Sequence, residues 1–285
     1  MFIIEIAKLL KQLREERHIS QRQLVEGISQ RTTLSSFETN GTRIAFHLLE
    51  QYLDRMNITL DEFQFLLNQQ KLTPKKELSQ DLYNNYYHQN YEKVQQNLSY
   101  CLSLYEDTND FYYYHLYAQY ALVLENKNLF SLTDEEITDI SNRLLSHFST
   151  IENWGRFEYA LFSNTLFHYD DDFIYTMIKS LDKKDAIASI TDIHHKLKAN
   201  AIFIFLKRGN YFYAKKLILH LEKKTTVEHM NSRLLIHYFK GILLVVDNQS
   251  EHGIQQINQV IGTFQYTGET SYADELSSFA AKFIN

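Results

Sequence analysis

The chain has 285 residues, 44% hydrophobic and 14% aromatic, with one proline, eight glycines and a formal net charge of −6. That length buries a substantial core in one large or two modest domains, and so little proline and glycine predicts an almost wholly helical chain with short connections. The acidic total argues against a generally basic nucleic-acid binder, no apolar run is long enough to span a membrane, and a lone Cys101 rules out an intramolecular disulfide and fits a reducing compartment.

At the start, Met1–Ile4 is apolar, but Glu5, Lys8 and Lys11 follow at once, so no signal peptide is expected and the protein is placed in the cytoplasm. Ile3, Ile6, Leu10 and Leu13 recur at helical spacing and predict a first helix with a core-facing stripe. Ser20 to Glu38 reads as two short helices joined by a tight corner. Ser20 with Gln23 forms a capping box, Gly27 falls where the first of them must stop, and Ser29 is placed to cap the second. Leu24, Ile28, Leu34 and Phe37 supply the apolar side. The exposed positions of the second helix, Gln30–Glu38, carry Gln30, Arg31, Thr32, Thr33, Ser35 and Ser36, donors and acceptors suited to base edges in a major groove. Gln21 and Arg43 join them as candidate DNA-binding residues.

An amphipathic helical hairpin would show the same polar face, so the flanks decide. Asn40-Gly41 ends the second helix, Phe46, Leu49, Leu53 and Met56 predict a fourth, and a capping box at Thr59 and Glu62 opens a fifth through Phe63, Leu66 and Leu67. Five short helices, the second and third forming the turn, predict a small repressor-type helix-turn-helix domain over residues 1–68.

The run from Ile28 to Glu38, followed by Tyr52 to Phe63, resembles the XRE-type helix-turn-helix family, and within it the Rgg/GadR/MutR group of Gram-positive transcription regulators. Total length and the helical remainder fit the same group. The resemblance implies that Arg14, late in helix one, pairs with Glu38 as scaffold. Val25 departs from it, standing where a small residue such as alanine is usual. Local charge agrees with DNA reading: Met1–Arg43 holds seven basic and five acidic residues, a balance of +2.

Residues 69–76 form the predicted linker, with Thr73-Pro74 as cap and first helical residue, and 77–285 the predicted regulatory and dimerisation domain. Tyr91, Thr133, Asp172, Tyr211 and Ser250 each open a helix after a turn, at separations of 42, 39, 39 and 39 residues. Arg208-Gly209-Asn210-Tyr211-x-x-Ala214 resembles the turn and second helix of a tetratricopeptide unit, although the other units are degenerate. Stacked hairpins of this kind predict a right-handed solenoid whose first helices line a concave groove. Those helices fall near Leu78–His88, Phe111–Glu125, Asn153–Phe167, Ala186–Lys207 and Glu228–Val246, with Ser271–Phe283 covering the open end. Arg156, Asn164, Asn200, Arg233 and His237 interrupt these apolar helices and are the candidate peptide-binding residues, able to grip main-chain amides and a C-terminal carboxylate. Taken singly, such a residue is more often an ordinary surface or interhelix hydrogen-bonding group.

Other groups carry less. His194-His195, His229 and His237 lack a completing acid or thiol for metal, Asp170-Asp171-Asp172 suits helix capping in a solvated loop, and Tyr112-Tyr113-Tyr114 suits packing between hairpins. No phosphate loop, nucleophile elbow or dinucleotide fingerprint is present, so neither enzymatic activity nor a cofactor is expected. The all-α chain therefore reads as a DNA-binding regulator, a homodimer on an operator. Its control by a short re-imported peptide pheromone is what the resemblance implies. The rival readings are a helical-repeat adaptor with a non-functional helix-turn-helix and a ligand-independent regulator.

Overall fold

The computed structural model describes residues 2–68, 73–183 and 191–284. These are helical throughout, without a strand among them, and the chain divides into two compact units, Met1–His88 and Gln89–Asn285.

The first unit holds α1 (Phe2–Glu16), α2 (Gln21–Val25), α3 (Arg31–Asn40), α4 (Phe46–Arg55), α5 (Leu60–Leu67) and α6 (Pro74–Tyr87). Its core is built from Ala7, Leu10 and Leu13 of α1, Leu24 and Val25 of α2, Leu34 and Phe37 of α3, and Tyr52, Leu53, Met56, Ile58 and Phe63. Val25 is absorbed into that core at 5% exposure, so the larger side chain is accommodated. Both expected capping boxes form, at Ser20/Gln23 and Thr59/Glu62. Ser29 does not cap α3: its hydroxyl meets the Tyr52 hydroxyl, and Gln30 stands at the cap position without a side-chain bond. Ile3, Phe46 and Leu66 are exposed rather than core-facing, because each lies in the end turn of its helix, where the apolar stripe runs off the packed face. Part of the expected linker, 69–72, lies outside the described residues. Thr73 caps α6 as expected, and α6 falls within the first unit.

The second unit is a succession of hairpins: α7 (Tyr91–Thr108), α8 (Phe111–Asn126), α9 (Asp134–Thr150), α10 (Arg156–Thr165), α11 (Asp171–Lys183), α12 (Thr191–Lys207), α13 (Tyr211–Lys224), α14 (Met230–Val246), α15 (Ser250–Tyr266) and α16 (Thr270–Ala280). Short 3-10 turns at Leu166–His168 and Val227–His229 bound α10 and α14, which are thereby shorter than expected. The segment 186–190 of the expected fourth inner helix lies outside the described residues. One row of helices packs in succession, α8 on α10, α10 on α12 and α12 on α14, while α7 and α9 pack on α8, α11 and α13 on α12, and α13 and α15 on α14.

The tetratricopeptide-like motif has a visible role in this stacking. Arg208 donates from Nη1 to the Tyr169 carbonyl and to Asp171, both within 2.8 Å, and from Nη2 to the Phe167 carbonyl at 2.7 Å. Asn210 bonds the second oxygen of Asp171 at 2.9 Å, and Tyr213 bonds Asp172. This turn is thus clamped to the turn one repeat earlier. The aspartates expected in a solvated loop are engaged, with Asp170 capping α11 through Phe173 N at 2.7 Å. At the far end α14 and α15 cross with Gly241 and Gly253 in contact. A Cβ on Gly253 would lie 2.6 Å from the Gly241 carbonyl, so only glycine permits the approach. The Tyr238 hydroxyl donates to the Leu276 carbonyl at 2.6 Å and anchors α16.

Candidate functional site

In the first unit the turn between α2 and α3 is held from three directions. Gly27 takes φ +72°, the left-handed conformation that lets the chain reverse after the five-residue α2. Arg55, at the end of α4, turns Nη1 onto the carbonyls of Gln23 at 3.2 Å and Leu24 at 3.1 Å, and onto that of Glu26. A helix this short has nearly all its carbonyls unbonded, and a cation at its C-terminus satisfies them directly. Beneath the turn, Arg14 and Glu38 form a two-pronged ion pair, Nε to Oε1 and Nη2 to Oε2, both 2.7 Å. Arg14 also donates to the Ile19 carbonyl at 2.9 Å. Arg17 donates to the carbonyls of Met56 at 3.0 Å and Leu13 at 3.1 Å. Nothing local in the sequence marks Arg55 or Arg17 for these roles, since their partners lie 29 or more residues away in the longest cases.

On this scaffold α3 presents Arg31, Thr32 and Thr33 to solvent behind an exposed Gln30, with Ser35 and Ser36 half-buried and Leu34, Phe37 and Glu38 turned inward. Arg43 is exposed beyond Gly41. Gln21 is placed differently from the others. Its amide donates to Glu38 at 2.8 Å, and its oxygen accepts from Arg31 Nε at 3.4 Å. It connects the buried ion pair to the exposed arginine.

In the second unit the candidates are distributed along the packed row. Asn164 of α10 donates to Gln119 of α8 at 2.9 Å, and Asn200 of α12 donates to Ser163 of α10 at 2.9 Å. These bonds make a polar line across three successive helices. Gln119 and Ser163, both buried at 8% exposure, escaped notice in the sequence because they occupy apolar-looking stretches. Arg233 and His237 are exposed one turn apart on α14, and Arg156 is exposed as the first residue of α10. Four of the other histidines fall into two contacts. His195 and His229 meet edge to face with centroids 4.6 Å apart, and His194 and His220 lie 3.3 and 3.4 Å from Asp182, which also takes Lys198 at 2.6 Å. No group of three or more His, Cys, Asp or Glu able to hold a metal occurs among the described residues. Cys101 is fully buried, and burial pushes its thiol up to about 12, so it is inert as a nucleophile. No helix among the described residues is long and apolar enough to cross a membrane.

Residues 76–278 match the family model described as HTH-type transcriptional regulator Rgg, C-terminal domain, and residues 10–63 match the helix-turn-helix model. The chain belongs to the Rgg family of transcriptional regulators. Among solved structures, this Rgg-family chain is similar to the Streptococcus dysgalactiae SHP pheromone receptor Rgg2, at 19% identity and a TM-score of 0.78, covering 97% of this chain and 99% of that one. It is similar to PrgX in its complex with cCF10, at 17% identity and a TM-score of 0.79, covering 98% and 99% of the two chains. A candidate transcriptional regulator of Listeria monocytogenes EGD-e is 19% identical with a TM-score of 0.81, over 98% and 97%. No curated protein matches the chain. At these identities the likeness shows a shared fold.

Proposed function

We propose that this Rgg-type regulator reads a DNA operator through α3 and is switched by a short peptide lying along α8, α10, α12 and α14. DNA reading is assigned to residues 1–68 and peptide reading and dimerisation to 77–285. Gln30, Arg31, Thr32 and Thr33 face base edges, Ser35 and Ser36 flank them, and Arg43 lies toward the backbone phosphates. Gln21 orients Arg31 more than it reads DNA itself. The observation that carries the peptide reading is the polar line from Gln119 to Asn200, which offers amide groups in register across stacked helices. Arg156 and Arg233 suit a free carboxylate, and His237 lies beside Arg233. The precedents are the SHP pheromone receptor Rgg2, the complex of PrgX with cCF10, and a similar structure described as a bacterial peptide pheromone/receptor complex.

A single helix-turn-helix with so small a positive balance reads one half-site weakly, which favours a homodimer on a two-fold operator in the cytoplasm, where the DNA is. Peptide binding would change the curvature of the repeat unit or the dimer arrangement and so reposition two α3 helices.

The test is fluorescence anisotropy with DNA fragments selected for binding from a random pool, titrated with salt and with a library of short apolar peptides bearing free C-termini. Salt-dependent, sequence-specific binding that shifts with one peptide is the expected result. Absence of DNA binding would favour the adaptor reading, and DNA binding indifferent to every peptide would favour a ligand-independent regulator.

A further inference from the structure

Behind the packed row, α7, α8 and α9 enclose a cleft of about 490 Å³ whose chemistry the peptide reading does not use. Its walls are phenolic: Tyr105 and Tyr114 have ring centroids 5.0 Å apart, and Tyr114 and Tyr117 6.1 Å apart. Its rim is acidic, with Glu106, Glu135, Glu136 and Asp139 set against one cation, Arg143. Arg143 bonds Asp139 at 2.9 Å and holds its guanidinium 5.2 Å from the centre of the Tyr114 ring. The site therefore already receives one cation over an aromatic face; Glu136 is engaged by Thr133 in the cap of α9, and Glu106 and Glu135 remain in excess.

A second feature is independent of that charge. Tyr114 is only 4% exposed, yet its hydroxyl has no hydrogen-bond partner. Burial holds this phenol protonated, and the other groups acting on it are Asp139, Arg143, Tyr117 and Tyr105, all of them cleft residues. A buried hydroxyl left unbonded costs stability unless something in the site uses it. Aromatic walls, excess carboxylate and an unused oxygen acceptor together match an alkylammonium group, attracted by ring faces and carboxylates and donating N–H to the phenol.

We propose that the α7–α8–α9 cleft binds an organic polyamine-type cation, on residues other than those assigned to DNA and peptide reading. The two carboxylates in excess, Glu106 and Glu135, call for more than one ammonium per ligand, and a cleft of this volume accommodates a short aliphatic chain. The same chemistry is available from a free amine or from lysine side chains of a partner segment.

Calorimetry on the full chain with spermidine, 1,4-diaminobutane and the peptide Gly-Lys-Gly-Lys-Gly, all at matched ionic strength, tests this. Saturable one-site binding of an amine is expected. Binding of spermidine or diaminobutane assigns the site to a free amine, and binding of the lysine peptide alone assigns it to a protein segment. The double variant Glu106→Gln/Glu135→Gln should weaken binding about tenfold or more, and Tyr105→Leu about threefold to tenfold. Tyr114→Phe should weaken binding while leaving the thermal midpoint unchanged or higher, which a purely structural tyrosine would not do. Failure of all three probes to bind would overturn the proposal. So would binding displaced equally by magnesium chloride, or affinity unchanged in the charge variant.

Discussion

Gln21 and Arg31 are joined through their side chains, Nε of the arginine standing 3.4 Å from the glutamine oxygen while the glutamine amide bonds Glu38 at 2.8 Å. The exposed arginine is thereby oriented by a buried ion pair two residues removed in the chain of contacts. Arg31→Ala should lower specific DNA affinity by about 1–3 kcal/mol without moving the unfolding midpoint. Gln21→Ala should cost less and should act by loosening Arg31, so the double variant should be no weaker than Arg31→Ala alone. Anisotropy titrations on the four proteins of this cycle measure both effects, and an Arg31→Ala protein that binds normally would move the recognition surface elsewhere.

The Arg14–Glu38 pair is shielded from water on both sides, so removing one partner strands a charge. Glu38→Leu should destabilise the first unit by about 3–5 kcal/mol in urea unfolding. Arg14→Met combined with Glu38→Leu should recover a large part of that loss, because no charge is then left buried. Equal losses in the single and double variants would mean that the arginine's bond to the Ile19 carbonyl dominates.

At the corner of the helix-turn-helix, Gly27 has left-handed φ, and no atom lies within 4 Å of the place a Cβ would take, so the strain of an alanine there is purely of the backbone. Gly27→Ala should cost about 1–2 kcal/mol. Arg55→Ala should cost a similar amount by exposing the α2 carbonyls to weaker partners. Both variants should reduce DNA affinity more than they reduce the helical signal in circular dichroism, since α3 loses its placement before it unfolds.

Along the packed row, Asn200→Ala removes a donor to Ser163 and a proposed peptide contact together, whereas Arg233→Ala touches only an exposed residue. Both should weaken the cognate peptide tenfold or more, about 1–3 kcal/mol, with DNA affinity in its absence nearly unchanged. Calorimetry against that peptide decides it, and unchanged affinity in both variants would remove these helices from the binding surface.

Acid should loosen the second unit at mildly low pH. Burial holds the imidazoles of His115 and His195 down to about 4, His195 being lowered further by the nearby His229 and Lys198. Their folded values lie below the ordinary 6.5, so the unfolded chain takes up more protons between the two, and stability falls as pH drops from about 6.5 to about 4. Burial raises the Asp182 carboxyl, but hydrogen bonds from His194 and Lys198 outweigh it and hold the group at about 2, so its contribution fades only at lower pH, below the ordinary 3.8. Urea midpoints at pH 7 and pH 5 should show a smaller difference in His195→Gln than in the parent chain.

Much of this molecule is legible from residues close together in the chain. The capping boxes at Ser20 and Thr59, the stop at Gly41 and the helix starts at Tyr91, Tyr211 and Ser250 all depend on interactions spanning four residues or fewer. The 39-residue recurrence is likewise written in local turns, and the clamp of Arg208 on Asp171 joins one of these turns to the one before it. What required the folded chain were the partners of polar side chains. Arg55 caps a helix 29 to 32 residues away, Ser29 bonds Tyr52 instead of its own helix, and Gln21 turns from the outer face to Glu38. A side chain with several donors satisfies them wherever packing brings an acceptor. Hydrophobic periodicity says which face of a helix is buried and leaves open which neighbour it is buried against.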